Sequence, residues 1–453
     1  MKPFKFFLLT DTHYFAPKLG CYGEEYKKFM QFEQKCFAET SAINKAAFKW
    51  LETAKEADAV LIAGDLSFNG EKESHLEFIE LLRSLKKAGK KIYVITAGHD
   101  FNDKVFAFND TGRLEFPGTK REELFDLYYE FGFSDAISVH KDSLSYVAQL
   151  SDGIRLLALN NDGDNANKHT YTASQTEWIL KQTKKAREDG QMMFVMNHYP
   201  LLPGCPLFSL VGDAVMPNAD KITSMLADEG VHLSFTGHMH NQSIKMKLSS
   251  EGNRFWDVCT GSLIGCPAYM RLVEIQDKST VKIESIPVPE FDWDMQGLTN
   301  EEYFRRQFDM MINTYLDCLS EDPKRLLGKF GMKDPNPALI KICTVIGNAL
   351  NNATIGSLCA KLFVKCDEAI KDRPVRDFML EIVRNVFVGN APYVAGTPEY
   401  EAFMGILDRF SPLLSLLGNA VKINGKKADI RDILKNCIGH YGVDEYNTTI
   451  TLE

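Results

Sequence analysis

Five short apolar runs in the first 240 residues each end directly in a motif of acidic or histidine residues. Runs of this length, rich in aliphatic and aromatic side chains, predict buried β-strands. Side chains just past the ends of neighbouring strands meet in one crevice, so the pattern predicts a site lined by carboxylates and imidazoles. The runs and their motifs are residues 4–10 with Asp11-Thr12-His13, residues 59–63 with Gly64-Asp65, residues 91–96 with Ala97-Gly98-His99-Asp100, residues 192–196 with Asn197-His198, and residues 232–235 with Thr236-Gly237-His238-Met239-His240.

The rest of the N-terminal part alternates between strand and helix patterns. Aliphatic and β-branched runs predict further strands, and apolar residues at helical spacing predict the helices between them. This alternation is typical of layered α/β domains, and we expect one over residues 1–290. The further strands are predicted at residues 145–150, 154–159, 254–258, 269–275 and 280–286, and the helices at residues 39–56, 72–88, 174–188 and 219–229.

The pattern changes near residue 290, where Pro287, Pro289 and Gly297 mark a domain boundary. Residues 291–453 then predict a mainly helical C-terminal domain, whose aromatic stripe packs in a core or between domains. This domain could border the crevice, dimerise or simply complete the fold. Its helices are predicted from the stripe Phe304, Phe308, Met311 and Tyr315, and at residues 337–350, 355–371 and 374–388.

Charge and length exclude several classes of protein. A chain of 453 residues exceeds the size of one ordinary core, which supports the division into two domains. The net charge is −9, and no clustered Lys and Arg residues indicate binding to a nucleic-acid polymer or to an anionic membrane. An anionic substrate must therefore be attracted by local charge, such as bound metal ions.

Neither a membrane span nor a disulfide framework is predicted. The most apolar stretch, residues 338–364, is interrupted by polar residues including Lys341 and Lys361, so we expect buried helices there. The apolar run at residues 4–10 is too short for a signal peptide and fits a first strand. The ten cysteines form no Cys-x-x-Cys pair, which favours free thiols in a reducing cytoplasm.

The side chains in the five motifs are metal ligands by type. Carboxylate oxygens and neutral imidazoles suit Fe, Mn or Zn, and one carboxylate can bridge two ions. The spacing in Asp-x-His and His-x-His directs both outer side chains the same way if the backbone is extended. Half of the ten histidines lie in these motifs; the others are predicted to be surface or satisfied core residues, namely His75, His140, His169, His232 and His440.

The order of these motifs resembles the calcineurin-like metallophosphoesterase family, which includes purple acid phosphatases and class III cyclic-nucleotide phosphodiesterases. A lone Asp-x-His would be a weak signal, but five ordered motifs are specific. The resemblance covers residues 5–286 and implies a four-layer α-β-β-α sandwich. The C-terminal helical domain lies outside it.

The resemblance also implies the roles of individual residues. It assigns Asp11, His13 and His240 to a first metal ion, Asp65 to a bridge between two ions, and His198 and His238 to the second ion. Both are expected to be divalent or trivalent Fe, Mn or Zn ions. His99 matches the proton donor to the leaving oxygen, with Asp100 as the residue that orients it.

One position departs from the family pattern. The third motif usually reads Gly-Asn-His followed by an acid, and its Asn binds the second metal, but in this chain that Asn is either replaced by Gly98 or deleted. Glycine offers no side-chain ligand. Water or Asn102 are the alternatives, although Asn102 also fits an ordinary turn.

The implied reaction is phosphoester hydrolysis by in-line attack of a metal-bound hydroxide, with a small phosphorylated molecule as substrate. A phosphodiester, a cyclic nucleotide included, is favoured by the resemblance, and a phosphomonoester is the alternative. A second alternative is a non-catalytic scaffold with a degenerate metal site, motivated by Gly98. Tyr14 and Tyr199 adjoin predicted ligands, where lining the cleft and anchoring a loop are equally good interpretations.

Overall fold

The computed structural model describes residues 1–453 except 163–168, 211, 330–331, 333, 413, 416–421, 424–425, 428 and 441. Its strands, in chain order, are β1 (Phe4–Leu9), β2 (Ala59–Ala63), β3 (Lys91–Ile95), β4 (Lys104–Asn109), β5 (Gly112–Pro117), β6 (Ala136–His140), β7 (Ser145–Ser151), β8 (Ile154–Leu159), β9 (Met192–Asn197), β10 (Leu233–Thr236), β11 (Ser243–Leu248), β12 (Arg254–Cys259), β13 (Tyr269–Ile275), β14 (Thr280–Pro287), β15 (Lys422–Ile423), β16 (Lys426–Lys427) and β17 (Thr448–Thr451). Its helices are α1 (Glu24–Met30), α2 (Thr40–Thr53), α3 (Lys72–Lys87), α4 (Leu124–Leu127), α5 (Ala173–Glu188), α6 (Ala219–Asp228), α7 (Asn300–Glu321), α8 (Pro323–Lys329), α9 (Pro337–Asn352), α10 (Ile355–Lys361), α11 (Val375–Val388), α12 (Pro398–Arg409) and α13 (Ile430–Ile438).

Two large sheets face each other at the centre of the molecule. The first has the strand order β17-β14-β13-β1-β2-β3, and the second has the order β11-β12-β10-β9-β8-β7-β6. Phe6 of β1 stacks on Phe194 of β9 with ring centroids 5.4 Å apart, and its edge meets Phe235 of β10 at 5.3 Å. These contacts place the apolar faces of both sheets against each other, as in a β-sandwich.

Helices cover the outer faces of both sheets. Phe48 of α2 and Phe78 of α3 are buried with the strands of the first sheet. Ile179 of α5 and Leu226 of α6 are buried in a separate cluster against the second sheet. The predicted four-layer α-β-β-α arrangement is therefore confirmed, and the predicted strands and helices of this part agree with the observed ones to within a few residues at their ends.

Parallel pairing brings the motif-bearing strand ends together. β1, β2 and β3 run parallel in the first sheet, and β8, β9, β10 and β12 run parallel in the second. The five motifs consequently emerge at the same edge of the sandwich. The strands β4, β5, β6 and β11 were not predicted. Interspersed polar residues interrupt the apolar pattern of β5, β6 and β11, whereas the apolar run of β4, residues 105–108, was missed.

The C-terminal region is joined to the sandwich more closely than a boundary at residue 290 suggests. Phe304 and Phe308 of α7 are buried in the same core as the first sheet, which confirms their predicted packing role. The final strand, β17, pairs with β14, with Ile450 opposite Val281. Residues from the end of the chain thus complete the first sheet.

Two expectations for the C-terminal region are wrong. The helix predicted over residues 355–371 ends at Lys361, because Phe363 adopts a left-handed conformation with φ of 54° and the Val364 N–H turns back to Cys359 O at 2.8 Å. The predicted burial of residues 338–364 fails at Val345, which is 62% exposed, and at Phe363, which is 85% exposed. One face of α9 packs on α7 through Cys343 and Gly347, whereas Ile342, Val345 and Ile346 are exposed.

Within the described ranges, no helix is both long enough and apolar enough to cross a membrane.

Candidate metal centre

The motif residues leave their strands through left-handed turns. Asp11, His13, Asp65, His238 and His240 all have positive φ, between 38° and 69°. Such a conformation is uncommon for residues other than glycine, although Asp and His tolerate it better than most, and it is concentrated at functional sites. The expectation that an extended backbone aligns the outer side chains of Asp-x-His and His-x-His is therefore wrong. The side chains still converge, because the turns direct them inward.

Contacts between neighbouring motifs hold these turns. The amide of Asp11 donates to Gly64 O at 3.1 Å, and the amide of His13 donates to Asp65 O at 2.9 Å. Gly237 N donates to His198 O at 2.9 Å. A Cβ atom at Gly237 would collide with the side chains of Thr10 and Asp11, so the fourth and fifth motifs approach the first only because this residue is glycine.

The six predicted ligands form two clusters. The first cluster is Asp11, His13 and His240, and the second cluster is Asp65, His198 and His238; in each, one candidate ligand atom per residue lies within 4.8 Å of the others. In the first, Nε2 of His240 lies 3.1 Å from Nε2 of His13 and 3.2 Å from Oδ1 of Asp11. In the second, Nε2 of His198 lies 3.1 Å from Oδ2 of Asp65.

Each carboxylate has one anchored oxygen and one that faces the imidazoles. Asp11 Oδ2 accepts hydrogen bonds from the His238 amide at 2.9 Å and the Thr10 hydroxyl at 2.7 Å. Asp65 Oδ1 accepts from the His99 amide at 3.0 Å. The inward Asp65 Oδ2 lies 3.7 Å from His13 Nε2 as well as 3.1 Å from His198 Nε2, so it lies between the two clusters.

Backbone carbonyls fix which nitrogen of each ring carries a proton. His198 Nδ1 donates to Ala63 O at 2.7 Å, and His238 Nε2 donates to Asp213 O at 2.7 Å. A carbonyl only accepts, so these nitrogens must carry hydrogen, and the opposite nitrogens keep their lone pairs in the neutral ring. His198 therefore offers Nε2 and His238 offers Nδ1. This second contact is the usual way a protein orients a ligating histidine.

The charges in the clusters are those of metal ligands. Burial would raise the pKa of Asp11, but the imidazoles of His240 and His198 outweigh it and hold that pKa well below its usual value. Burial would also raise the pKa of Asp65, but the charges of His198 and His99 outweigh it and hold that pKa well below its usual value. Burial lowers the pKa of His13, and burial with the charge of His198 lowers the pKa of His238 to about 3. Both carboxylates are thus ionised and these two rings neutral.

His198 differs from the other rings. Burial would lower its pKa, but the carboxylates of Asp65 and Asp11 raise it to about 10. A proton on His198 therefore balances two buried negative charges when no metal ion does so. A cation bound here would take over that role and release the proton.

His99 stands beside the clusters, half-buried, with its ring centroid 4.8 Å from that of His13. Its Nδ1 donates to Phe68 O at 2.8 Å, which leaves Nε2 without a partner in the described part of the chain. Desolvation lowers the pKa of His99, although Asp65 opposes this. The prediction that Asp100 orients this ring needs correction, because the carbonyl of Phe68 makes the contact.

Asp100 instead organises the loops that carry the ligands. Its carboxylate accepts from the amides of Leu66, Ser67 and Ala97, each at 2.8 Å. These donors lie in the second and third motif loops, so Asp100 ties the loop of Asp65 to the loop of His99. The sequence predicted a functional role for Asp100 but did not indicate its hydrogen-bond partners, which are backbone amides and the hydroxyl of Ser67.

The third motif leaves an open space where the family has a ligand. Gly98 is exposed, and a Cβ atom built on it would meet nothing within 4 Å among the described atoms. Asn102 is also exposed, and its recorded hydrogen bond runs from its backbone amide to Thr119 O at 3.0 Å. The described contacts therefore give Asn102 no place in the second cluster.

The two tyrosines that adjoin predicted ligands, Tyr199 and Tyr14, have different surroundings. Tyr199 stacks on His238 with centroids 3.8 Å apart, and His169 stacks on Tyr199 at 4.8 Å. Tyr199 therefore lines the second cluster. Tyr14 is only 1% exposed and its hydroxyl donates to Glu77 at 2.8 Å, so it anchors its loop. His75 is a satisfied core residue as predicted, with both ring nitrogens bonded, to Tyr128 and to Asp100 O.

The donor set fits transition-metal ions. Asp11 Oδ1 and His198 Nε2 are buried and have no hydrogen-bond partner among the residues that the structure describes. Buried polar atoms rarely lack a partner, and two carboxylates with four imidazoles are the ligands that Fe, Mn and Zn ions take. A sandwich with such a site at its strand ends defines a metallophosphoesterase.

Comparison with known proteins gives the family. The sequence model of the calcineurin-like phosphoesterases matches residues 4–242, and the chain belongs to this family of phosphoric ester hydrolases. The match ends before β11, so it covers the residues of all five motifs but none of the C-terminal region.

Several solved structures are similar to this chain at low identity. A dimetal phosphatase from Danio rerio is 11% identical, with a TM-score of 0.42, and the match covers 63% of this chain and 97% of that one. A purple acid phosphatase from yellow lupin is 13% identical, with a TM-score of 0.41 and coverage of 63% and 52%. The NAD nucleotidase of Haemophilus influenzae is 13% identical, with a TM-score of 0.36 and coverage of 79% and 62%. No curated protein sequence matches the chain significantly.

Proposed function

We propose that this protein is a phosphodiesterase that hydrolyses a small phosphorylated substrate, a cyclic nucleotide being one candidate, at a dinuclear metal site. The observation that carries the proposal is the placement of His99 next to two clusters that share inward-facing carboxylate oxygens. Hydrolysis of a phosphoester requires activated water, neutralisation of charge on the phosphoryl group and a proton for the leaving oxygen. The donor set and His99 together supply all three.

Asp11, His13 and His240 would hold one ion, and His198 and His238 would hold the other, with Asp65 shared between them. When bound, the pair of ions lowers the pKa of water and polarises the phosphoryl group. The metal pair is Fe, Mn or Zn by ligand type. The role of the protein itself is to keep both carboxylates ionised and the tautomers of His198 and His238 fixed.

We assign the proton for the leaving oxygen to His99 Nε2, which requires the imidazolium form because Nδ1 already donates its hydrogen to Phe68 O. Burial disfavours this form by lowering the pKa of His99, and the carboxylate of Asp65 favours it. The other nitrogen of the His99 ring is occupied by Phe68 O, so the ring cannot turn that face away without losing a hydrogen bond. The ring is half-buried and can therefore reach both a substrate and the solvent that reloads the proton. Asp100 acts indirectly, because its carboxylate holds the turn that carries His99.

Preference for a diester is supported by the resemblance of the motif order to class III phosphodiesterases. A small substrate is supported by the net charge of −9, which offers no general attraction for a nucleic-acid polymer.

We also propose that the protein acts in the cytoplasm, because its cysteines are dispersed and the described ones are free thiols.

The test combines metal analysis with one pair of substrates, a diester and a monoester. Protein purified without chelator is expected to contain about two metal ions per chain and to hydrolyse bis-p-nitrophenyl phosphate faster than p-nitrophenyl phosphate. Faster hydrolysis of the monoester would replace the diester assignment, and no turnover after addition of Mn, Fe or Zn would favour the scaffold alternative.

Leaving-group dependence tests His99. His99→Ala should slow hydrolysis of an unactivated diester such as a cyclic nucleotide by ~100-fold or more, and slow p-nitrophenyl esters much less, because p-nitrophenolate leaves without a proton. His140→Ala, which removes a histidine whose ring is hydrogen-bonded to Ser143 and packed near Trp178, is the matched control. Equal slowing of both substrates by His99→Ala would contradict a role as proton donor.

A further inference from the structure

A lysine that the five motifs do not include lies against the metal centre. Lys35 sits in the segment between α1 and α2 and is only 7% exposed, which is unusual for lysine. Its Nζ lies 4.6 Å above the ring of Phe68. Phe68 is the residue whose carbonyl holds His99, and its ring lies 6.2 Å from the ring of His13.

The side of Phe68 on which this ammonium lies follows from the packing. Phe37 stacks on Phe68 nearly parallel, at an angle of 9° and a centroid distance of 3.9 Å, and so occupies one face of the ring. The ammonium must therefore lie over the opposite face. Its positive charge reaches the site, since it acts on the imidazoles of both His13 and His99.

Lys35 has carboxylates nearby, since its charge also acts on the buried Glu71, but no acceptor is hydrogen-bonded to its nearly buried ammonium in the described part of the chain. The nearest carboxylate oxygen, Glu33 Oε1, is 3.9 Å away, beyond hydrogen-bond reach, and already accepts from the Lys35 amide at 3.2 Å. Throughout the described residues, Nζ donates no hydrogen bond. A desolvated ammonium with three unused donors is unfavourable unless an anion completes it.

The segment that carries Lys35 is held firmly, so this is not a mobile surface side chain. Cys36 N donates to Ile264 O at 2.9 Å. On the other side, Gln307 of α7 donates from Nε2 to the carbonyls of Met30 at 3.1 Å and Glu33 at 2.7 Å. The hydroxyl of Tyr303, also on α7, donates to Glu39 at 2.5 Å. The C-terminal region thus fixes the segment from which Lys35 reaches the ring of Phe68.

We propose that Lys35 binds a non-bridging phosphoryl oxygen of the substrate and is the anion-binding side chain of the site. Lysine is a common point-charge ligand of phosphate, and a preorganised cation in a partly desolvated cleft binds phosphate more strongly than one in water. The phosphoryl group supplies the acceptor that Nζ lacks. This inference rests on the proposed function in taking a phosphoester as substrate. It also gives α7 a role, because this helix holds the segment that carries Lys35.

Inorganic phosphate is the probe, because its binding can be measured whether or not the protein turns over an ester. The dissociation constant of phosphate is measured by calorimetry on Mn-loaded protein, with metal content and melting temperature recorded for each variant. Lys35→Met keeps the length and apolar packing but removes the charge, and should weaken phosphate binding by about 10-fold or more. Lys35→Arg keeps the charge and should retain affinity to within about 3-fold.

Lys49→Met is the matched control, because Lys49 is a lysine of α2 whose side chain is 76% exposed and paired with Glu52. It should bind phosphate like the unmodified protein. A Lys35→Met variant with full metal content and an unchanged phosphate dissociation constant would overturn the proposal. Phosphate binding that depends on Lys35 in a protein without esterase activity would instead sustain it and reject the proposed function.

A second measurement needs no variant and so holds even if Lys35→Met does not fold. Acetic anhydride labels lysines of the Mn-loaded protein, and peptide mass spectrometry gives the labelling rate at each position. Phosphate should protect Lys35 but not Lys49 from acetylation. Equal labelling of Lys35 with and without saturating phosphate counts against the proposal.

Discussion

The two ligand clusters differ in how completely the protein encloses them. Asp11 and His13 of the first cluster have no exposed surface, and His240 is 8% exposed. In the second cluster, His238 is half-buried, and the neighbouring position, Gly98, is open to solvent. The first cluster is thus closed by the fold, and the second opens to the cleft.

This difference indicates two ions of unequal affinity. A ligand set that is buried and fixed before the ion arrives loses little entropy on binding, and bulk water does not compete with it. At the second cluster, a half-buried imidazole and a glycine in place of an amide leave coordination to water. We therefore expect one tightly held ion and one that exchanges, with substrate entering on the side of the second ion.

Gly237→Ala should have the largest effect, because it breaks the first cluster. The added methyl group would collide with Thr10 and Asp11, so the carboxylate or the fifth motif must move. A displacement of about 1 Å among catalytic groups costs ~100-fold or more in rate. Turnover of the diester and metal content by elemental analysis are the measurements, and both should fall.

Gly98→Ala is the control for this change. It adds the same methyl group at a glycine of the third motif where a Cβ atom meets nothing. Its activity should stay within about 2-fold of the unmodified protein. Equal damage at the two positions would show that the clusters are not packed differently.

Stepwise removal of metal should have the next largest effect and should distinguish the two clusters by their affinity. As chelator is added, the metal content should fall from two ions to one before it falls to none, with dissociation constants that differ by roughly 30-fold. Elemental analysis of gel-filtered samples gives the number of ions, and a single cooperative loss of both would contradict the comparison.

The number of protons released when metal ions rebind to the metal-free protein gives a further measurement. The pKa of His198 is raised to about 10, so this ring carries a proton at neutral pH in the metal-free protein. Rebinding must displace it, because a ligating imidazole needs its lone pair. Calorimetry in two buffers of different ionisation enthalpy should show release of about one proton from this ring, and a loss of this release above pH 10.

Gly98→Asn is expected to reduce the difference between the clusters. The position is open around a Cβ atom and has no positive φ to strain an Asn, whose amide would restore the residue type of the family pattern. Affinity for the weaker ion should rise by about 10-fold, while the tighter ion is unaffected. Titration with Mn, monitored by its paramagnetic signal, measures this, with Gly98→Ala as the variant that adds bulk without a ligand.

Much of this site was predictable from the sequence, because its residues follow apolar runs in a fixed order. The alternation that predicted β1, β2, β3, β9 and β10 also predicted which side chains meet. What the pattern could not predict is how they meet. Left-handed turns at Asp11 and His240 replace the extended backbone that the spacing suggested, since Asp and His carry no glycine-like signal for positive φ.

Backbone groups and distant segments account for the remaining gaps. The carbonyls of Ala63, Phe68 and Asp213 set the ring tautomers, but every residue has a carbonyl, so none stands out in the sequence. Lys35 belongs to no motif, and its segment is held near Phe68 by contacts with Ile264 and with Gln307 of α7, which the sequence pattern does not indicate. The exposed face of α9 was missed for a related reason, because apolar periodicity does not say whether a partner exists.

Tyr199→Leu should produce the smallest effect and tests whether the open cluster depends on aromatic support. Tyr199 stacks on His238 at 3.8 Å, and a pair of stacked rings contributes about 0.5–1 kcal/mol beyond the area it buries. Leucine keeps the site apolar but removes the stacking, so affinity for the weaker ion should fall by about 3-fold. His238 retains its bond to Asp213 O, which limits the loss. Mn titration of this variant should leave the tighter ion unchanged; weakening of both ions alike would mean that Tyr199 supports the whole fold of the cleft and not the second cluster alone.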